Sequence, residues 1–362
     1  MAAVLAACGA CDGLLGPRPS ADPLWRVPLG EGDRNTEGVP AADAERLYAL
    51  AGGVVAFAAA DGALLWRNRL PGEEHRPRNV VVHGGRVFAA GMTAFALEAA
   101  TGRELWRFPL PAGSTAALGR IAADDGAVYV GTDTHRVYAL DAASGAARWT
   151  ADVGPDWPHR GIVTGVTAAG DTVYVAVRQY NSENGHLSTG WIVALERATG
   201  RLLWSFRNGA GTDWRSVSAG PTVAGRLLLA SDLLSGAVFA LDRFTVREAW
   251  RFVGPADKFG PASSPVAVEG RAYAASSDNW VYALDVETGS VAWRTRNPGS
   301  HFSFAVCGRW VFANYMDLAI LDRHSGAVLQ RRAGAEIFSD FAVFGDRAYA
   351  ISDQAVYAFS CP

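Results

Sequence analysis

The sequence predicts an all-β protein: an eight-bladed β-propeller of four-stranded blades, in which the N-terminal strand closes the last blade. Three observations carry this prediction. A motif recurs about every 43 residues between Phe57 and Phe359, each repeat contains short alternating apolar segments, and the first strand-like segment matches the one missing from the last repeat. Repeats of about 40–50 residues built from four short strands are typical of propeller blades.

The recurring motif is clearest at Tyr282–Asp285, which is followed by Thr288-Gly289 and Trp293. Two copies are degenerate, with Val246 at the glycine position and Gln330 at the tryptophan position. Helical repeats of similar length do not combine glycine-rich turns with period-two patterning, and no Trp-Asp dipeptide recurs as it would in WD repeats. The anchor position, which corresponds to Leu284, is apolar in all eight copies: Phe57, Leu97, Leu140, Leu195, Leu241, Leu284, Leu321 and Phe359.

The strands of each repeat follow in order from the motif. Two apolar segments precede the anchor and are split by a turn such as Gly85-Arg86 or Gly270-Arg271. Alternation such as Val128-Tyr129-Val130 favours strands over helices. After the anchor, Asp-x-x-Thr-Gly predicts a tight turn in which glycine supplies a positive φ, and the tryptophan strand follows.

Ring closure follows from the two ends of the repeat region. The eighth repeat stops after Phe359 without a tryptophan strand, whereas Leu24-Trp25-Arg26 matches Leu65-Trp66-Arg67. The first strand therefore completes the last blade, which protects the sheet edges that an open ring would expose.

The repeated polar residues have a structural interpretation. Aspartate and threonine at this spacing cap their own turn, and a large flat indole is suited to the space between neighbouring blades. We therefore assign structural docking to seven tryptophans: Trp25, Trp66, Trp106, Trp149, Trp204, Trp250 and Trp293.

This motif resembles the PQQ-like repeat, in which Ala, Asp, Thr, Gly and Trp form a tryptophan-docking belt around the propeller. The resemblance covers residues 24–360. Val246 and Gln330 depart from it, which puts tight docking at those two seams in doubt.

Composition excludes some classes of protein. The chain has 362 residues, of which 49% are hydrophobic and 19% charged, with a net charge of −3. A folded protein without a global attraction to nucleic acid is expected from these values. The sequence contains no run of about 18 apolar residues, so it predicts no membrane-spanning helix.

The N-terminus carries a lipidation signal. Leu5-Ala6-Ala7-Cys8 has the pattern that a lipoprotein signal peptidase cuts before the cysteine, which then carries the lipid. Few residues precede Cys8, so we interpret this signal as truncated by a start codon placed too far downstream; a frayed Ala-rich terminus is the competing interpretation. We expect residues 1–22 to be signal and flexible tether, and residues 23–362 to be the propeller.

Two branches of the resembling family imply different functions. Quinoprotein dehydrogenases hold pyrroloquinoline quinone (PQQ) and calcium in the central funnel, but this chain has no adjacent cysteine pair and no evident calcium-ligand cluster. The other branch is the non-enzymatic propeller lipoprotein of outer-membrane β-barrel assembly, BamB. The chain looks like this second branch, which implies no catalytic residues, no metal, no PQQ and protein partners bound through loops.

A search for catalytic motifs finds no nucleophile elbow, Walker loop, zinc spacing or EF-hand loop. The connections between blades are more informative, since they should rim the funnel, and we predict an electropositive mouth for an acidic loop or anionic ligand. Solvated loops with ordinary charges are the competing interpretation. The predicted binding residues are Arg78, Arg120, His159, Arg160, Asp213, Trp214, Arg215, Lys258 and His301.

Two further features leave alternatives open. The segment Gln179–Gly190 lengthens its repeat to about 55 residues. It is either an insertion on the binding face or a tolerated insertion without a function. Cys361 pairs with Cys11, pairs with Cys307, or remains a thiol.

These observations predict a non-enzymatic lipoprotein scaffold of the bacterial envelope, a monomeric propeller anchored through Cys8. Gly9 after the lipidated cysteine favours the periplasmic face of the outer membrane. A small quinoprotein dehydrogenase or a glycan-binding propeller is the alternative.

Overall fold

The structure is a computed structural model, and it describes most residues of the chain. These are residues 20–30, 38–70, 77, 79–116, 121–154, 161–181, 187–208, 216–217, 219–232, 234–254, 264–276, 278–296, 303–314, 317–332 and 338–361.

The described residues form eight four-stranded antiparallel sheets, which are the blades of an eight-bladed propeller. Blade 1 contains β2 (Ala41–Ala42), β3 (Arg46–Leu50), β4 (Val54–Ala58) and β5 (Leu64–Asn68). Blade 2 contains β6 (Val80–His83), β7 (Arg86–Ala90), β8 (Thr93–Glu98) and β9 (Glu104–Pro109). Blade 3 contains β10 (Ala122–Ala123), β11 (Ala127–Gly131), β12 (Arg136–Asp141) and β13 (Ala147–Asp152). Blade 4 contains β14 (Gly161–Ala169), β15 (Thr172–Asn181), β16 (Leu187–Glu196) and β17 (Leu202–Asn208).

The second half of the ring repeats the same order. Blade 5 contains β18 (Thr222–Ala224), β19 (Leu227–Asp232), β20 (Ala237–Asp242) and β21 (Arg247–Val253). Blade 6 contains β22 (Val266–Val268), β23 (Arg271–Ser276), β24 (Trp280–Asp285) and β25 (Val291–Arg296). Blade 7 contains β26 (Ser303–Cys307), β27 (Trp310–Asn314), β28 (Leu318–Asp322) and β29 (Val328–Arg332). Blade 8 contains β30 (Phe338–Phe344), β31 (Arg347–Ser352), β32 (Ala355–Ser360) and β1 (Trp25–Pro28).

We name the strands of each blade A to D from the axis outward. The A strands of consecutive blades contact one another in a complete ring, which places them innermost: β2, β6, β10, β14, β18, β22, β26 and β30. Because neighbouring strands are antiparallel, the A–B and C–D turns lie on one face, which we call the turn face. The B–C turns and the D–A connections between blades lie on the opposite face, which we call the connection face.

Ring closure occurs as the sequence predicts. β1 pairs antiparallel with β32, and Trp25 lies opposite Ala358. The backbone N–H of Leu24 also donates to the Ala358 carbonyl, at 2.7 Å. The fold-class prediction of a propeller whose first strand completes the last blade is therefore confirmed.

The core lies between the blades, where the B and C strands are almost fully buried. Their alternating side chains pack against the blades on either side, whereas the D strands alternate between buried and exposed positions. The A strands approach closely near the axis. A Cβ atom added to Gly165 would lie 2.1 Å from the backbone nitrogen of Gly220 in the next blade, so only glycine fits at this crossing.

An indole hydrogen bond recurs at the seams between blades. In six seams, the Nε1 of the strand-D tryptophan donates to the backbone carbonyl of the next blade, two residues after its anchor. Trp106, for example, donates to Ala142 at 3.1 Å, and its ring packs on Gly145. The six pairs are Trp25–Ala59, Trp66–Ala99, Trp106–Ala142, Trp149–Arg197, Trp250–Val286 and Trp293–Arg323.

The two degenerate repeats differ at their seams. Val246 adopts a φ of 58° at the glycine position. Trp204, which faces this turn, is half-buried, and among the described residues it has no indole hydrogen bond of this kind. Gln330 replaces the tryptophan between blades 7 and 8, and its Oε1 accepts the backbone N–H of Ala21 at 2.8 Å.

Cys307 and Cys361 form a disulfide, with Sγ atoms 2.00 Å apart. Of the pairings that the sequence leaves open, Cys361 with Cys307 is the one observed, and the bond excludes Cys11 as the partner of Cys361. Cys11 and the predicted lipidation residue Cys8 lie outside the described residues. No helix long and apolar enough to cross a membrane occurs in the described part of the chain.

Candidate functional site

The predicted binding residues lie, in sequence, on the connections between blades. Every one of them lies on a D–A connection, that is, between the outermost strand of one blade and the innermost strand of the next. The structure describes the strands that these connections join but not the residues themselves: Arg78, Arg120, His159, Arg160, Asp213, Trp214, Arg215, Lys258 and His301. Their role in binding remains a prediction.

A long hairpin in blade 4 is the main feature of the connection face. β15 and β16 are ten residues long and stay paired to Asn181 and Leu187, whereas most B and C strands have five or six residues. Gln179–Asn181 and Leu187–Gly190 are therefore extensions of strands B and C, and residues 182–186 lie outside the described part of the chain. Longer strands carry the hairpin past the ends of the neighbouring blades.

Polar contacts join the two strands at the base of this hairpin. Trp191 Nε1 donates to Gln179 Oε1 at 3.4 Å, and Gln179 is buried. The Arg207 guanidinium lies 5.9 Å from the Trp191 ring centroid, within the range of a cation–π contact. A Cβ atom added to Gly190 would lie 2.5 Å from the Val217 backbone nitrogen, so the hairpin base packs directly on the connection to blade 5.

Asp232 organises the adjacent part of the connection face. It ends β19 and has no solvent exposure. Its Oδ1 accepts the backbone N–H of Ser216 at 2.9 Å, and its Oδ2 accepts the Asn208 amide at 3.1 Å. Since Asn208 and Ser216 flank residues 209–215, one buried carboxylate holds both ends of the connection on which Asp213, Trp214 and Arg215 lie.

The same carboxylate also caps its own turn. The Leu234 backbone N–H and the Ser235 hydroxyl both donate to Asp232, at 3.1 and 2.6 Å. On the far side of Asn208, Arg251 donates to Asn208 Oδ1 at 2.9 Å, and its guanidinium lies 4.6 Å from the Phe239 ring centroid. Several donors satisfy this buried charge, as a carboxylate without solvent requires.

The sequence search overlooked Asp232 as a site residue, although a local signal exists. Asp232-x-x-Ser235-Gly236 has the same turn pattern as the repeat motif but lies in a B–C turn. The contacts to Asn208 and Ser216 cannot be seen from that pattern because they depend on the fold.

Aspartates recur in other B–C turns of this face. Asp133 in blade 3 accepts the backbone N–H and hydroxyl of Thr115, both at 2.9 Å. Asp278 in blade 6 accepts the Trp280 backbone N–H at 3.0 Å and the Tyr282 hydroxyl at 2.5 Å. The Asp133 carboxylate therefore joins its turn to the connection that contains Thr115, and the Asp278 carboxylate caps its own turn.

A cleft of about 420 Å³ opens on the turn face, at the seam between blades 3 and 4. Both arginines of its lining form ion pairs: Arg197 lies 3.0 Å from Asp124, and Arg148 lies 2.7 Å from Asp141, a residue beside the cleft.

Two ionisable groups in this cleft have shifted pKa values. Burial and the hydrogen bond to Asp124 raise the pKa of Tyr129 to about 12. Burial opposes ionisation of Asp124, but the backbone N–H groups of Gly126 and Ala127, followed by the Tyr129 hydroxyl, outweigh it. The pKa of Asp124 therefore lies below its usual value.

The described residues contain no cluster typical of the calcium site of a quinoprotein. No group of three or more His, Cys, Asp or Glu residues that could hold a metal ion is found among them. The two cysteines that the structure places are joined across blades 7 and 8 beside the turn face, and Asp232 is occupied by backbone and amide donors.

Comparisons with known proteins agree with the repeat. The family model described as outer membrane protein assembly factor BamB matches residues 18–107, 91–188 and 188–360. The outer membrane protein assembly factor BamB of Yersinia pestis is 26% identical over 292 residues, which is 73% of this chain and 70% of that protein.

Solved structures share the fold. The crystal structure of BamB from Moraxella catarrhalis superposes with a TM-score of 0.72 at 21% identity, covering 94% of this chain and 97% of that one. The quinohemoprotein alcohol dehydrogenase of Comamonas testosteroni also has a TM-score of 0.72, at 16% identity, covering 93% of this chain and 75% of that one. At these identities the structural similarity concerns the fold alone.

Proposed function

Because the chain belongs to the family of the outer membrane protein assembly factor BamB, we propose that it is a non-catalytic, protein-binding scaffold for assembling β-barrel proteins in the outer membrane. The single observation that carries the proposal is the family match, which extends over the whole propeller from residue 18 to residue 360. The shared propeller fold alone would not suffice, because it also hosts dehydrogenases.

The connection face is the proposed binding surface. It combines the extended hairpin β15–β16 with the connection that Asp232 holds at both ends. A connection held at both ends by hydrogen bonds should lose less entropy on binding than a free one, which favours affinity for a protein partner. The basic residues Arg160 and Arg215 on neighbouring connections are proposed to meet an acidic segment of that partner.

The proposal also covers the protein's cellular location, its membrane anchor and its oligomeric state. The protein is anchored through a lipid on Cys8 at the periplasmic face of the outer membrane and acts there as a monomeric propeller without a cofactor. A firm anchor requires more than one acyl chain, as bacterial lipoproteins have. Its partners are envelope proteins of a β-barrel assembly complex, and nucleic acid is not among them.

A dehydrogenase function is disfavoured by the donor set. The described residues offer no metal-holding group, and the described cysteines are joined to each other rather than placed beside a cofactor. We therefore advance no second function.

The test is a pull-down of the tagged, lipidated protein from its native envelope in mild detergent, with mass spectrometry of the proteins recovered. The double variant Arg160→Glu/Arg215→Glu reverses charge on the connection face. Arg103→Glu is the matched control, because Arg103 lies in a turn-face loop and its side chain is 65% exposed.

We expect wild type and the control to recover an outer-membrane barrel protein with periplasmic repeat domains. The amount recovered with the double variant should be at least about tenfold lower. Recovery of no envelope partner by the wild type would contradict the scaffold proposal. Equal recovery by all three proteins would contradict the assignment of the binding surface.

A further inference from the structure

Cys361 occupies a position that has the same role in every blade. The residue two places after each anchor donates its backbone N–H to the A–B turn of its own blade. Ala99 donates to Gly85 at 3.0 Å, Val286 to Gly270 at 3.0 Å, and Cys361 to Asp346 at 2.7 Å. In six other blades, the carbonyl of this residue accepts the indole N–H from the preceding blade. Cys361 is thus the docking position of blade 8.

The seam between blades 7 and 8 has no tryptophan dock. The strand-D residue that should supply the indole is Gln330, which lies opposite Ile320 where other blades pair tryptophan with alanine. Blade 8 also has no C–D turn, because its strand D is β1 from the other end of the repeat region. The seam between blades 7 and 8 therefore lacks both the indole and the glycine turn on which an indole packs at other seams.

A disulfide lies at this same seam. Cys307 ends β26, the A strand of blade 7, and its Sγ is bonded to that of Cys361 in blade 8. Both cysteines are buried, at 1% and 4% exposure, in one hydrophobic cluster with Trp310 and Ala21. The cross-link joins the one pair of neighbouring blades whose seam has no tryptophan at the strand-D position.

We propose that the Cys307–Cys361 disulfide is a covalent clasp that replaces tryptophan docking at the seam between blades 7 and 8, and that reducing it makes the propeller open first at this seam. The segment around Ala21, which Gln330 and the cluster hold against blade 7, is released by the same opening. This inference concerns the ring itself and holds whether or not the scaffold proposal does.

The chemistry requires an oxidising compartment. Two thiols lose two electrons and two protons as the S–S bond forms, and these pass to a disulfide-bearing oxidant such as an envelope dithiol–disulfide oxidoreductase. The reverse step with dithiothreitol returns two electrons and two protons, giving two thiols and the cyclic disulfide of the reductant. Because both sulfurs are buried, thiol–disulfide exchange with the reductant is expected to need local opening of the seam.

The experiment compares the full-length oxidised protein with Cys307→Ala/Cys361→Ala by thermal unfolding and by amide hydrogen exchange resolved to peptides. Trp66→Ala is the matched control, since it opens a different seam while leaving the disulfide intact. A second measurement uses wild type folded with the disulfide and then reduced with dithiothreitol in mild urea, with thiol alkylation to count the reduced cysteines. This arm covers the case in which the double variant does not fold.

We expect the double variant and the reduced protein to lose about 5 °C in Tm relative to the oxidised wild type. Exchange should rise at least about tenfold in β26–β32 and β1, and little in blades 3 and 4. In Trp66→Ala the rise should instead centre on blades 1 and 2. An unchanged Tm, or exchange that rises equally in all blades after loss of the disulfide, would overturn the proposal.

Discussion

The indole Nε1 of Trp66 donates a 3.0 Å hydrogen bond to the carbonyl oxygen of Ala99, across the seam between blades 1 and 2. The six-membered edge of the same indole packs against Gly102, where an added Cβ would lie 2.4 Å from the ring. One residue therefore provides both apolar burial and a polar contact to the next blade. Ring stability can be analysed seam by seam because each blade contacts mainly its two neighbours.

The stability lost on replacing a docking tryptophan should depend on how deeply that tryptophan is buried in its seam. Trp66→Ala removes a buried indole and its hydrogen bond, so we expect a loss of about 4 kcal/mol in the free energy of unfolding. Trp204→Ala should cost only about 2 kcal/mol, because Trp204 is more exposed and faces the Val246 turn. Urea denaturation of the two variants measures the difference, and equal losses would contradict the ranking.

The Val246 turn offers a stabilising substitution. Val246 has a φ of 58°, a left-handed conformation that is unfavourable for a β-branched residue. Val246→Gly should therefore raise the free energy of unfolding by about 1 kcal/mol after the entropic cost of glycine. The reciprocal control is Gly289→Val, whose Cβ would lie 2.5 Å from the Trp250 ring, and which should cost about 3 kcal/mol. A destabilised Val246→Gly in the same denaturation experiment would show that apolar contacts of the valine outweigh the strain.

Asp232→Ala should destabilise the protein by about 3 kcal/mol. The substitution leaves the Ser216 and Leu234 backbone N–H groups without their acceptor in a buried site. Asp353→Ala is the matched control, because Asp353 lies in the corresponding turn of blade 8 but is exposed, and its effect should stay within about 0.5 kcal/mol. Denaturant unfolding provides the comparison. Similarly small losses in the free energy of unfolding for both variants would contradict a stabilising role of Asp232 at the connection face.

The Asp124 carboxylate should make stability depend on pH. Its folded-state pKa is lowered, so its stabilisation is complete above the unfolded pKa near 3.8 and is lost as pH falls through the folded pKa. Asp124→Asn should therefore lose about 1–2 kcal/mol at pH 7 and less at pH 3. Unfolding curves at both pH values provide the measurement. The control Asp125→Asn changes an exposed neighbour, and a loss for Asp124→Asn that does not shrink at pH 3 would contradict the expectation.

The sequence predicted the blades and their closure well because the repeat is periodic and its turns are local. The match between the Trp25 and Trp66 segments was enough to identify the strand that pairs with β32. The degenerate copies were also informative. The positions Val246 and Gln330 are where the indole belt differs in the structure.

Contacts between distant residues could not be predicted in this way. Cys361 had two candidate partners, and only the fold brings it within bonding distance of Cys307. Asp232 is similar, because its partners Asn208 and Ser216 belong to the preceding blade and to a connection. Residues on the connections, such as Arg160 and Arg215, remain predicted binding residues, since they lie outside both the repeat motif and the described residues.

The pairing of β1 with β32 has a consequence for the order of folding. Arg26 and Tyr357, which are hydrogen-bonded across this pair, are separated by 331 residues. In the proposed envelope role the chain crosses a membrane from its N-terminus, so β1 emerges first and has no partner until nearly all other blades have emerged. Contacts this distant in sequence form slowly, and a waiting strand edge invites mispairing. We therefore expect chaperone binding during export to concentrate on the first strand.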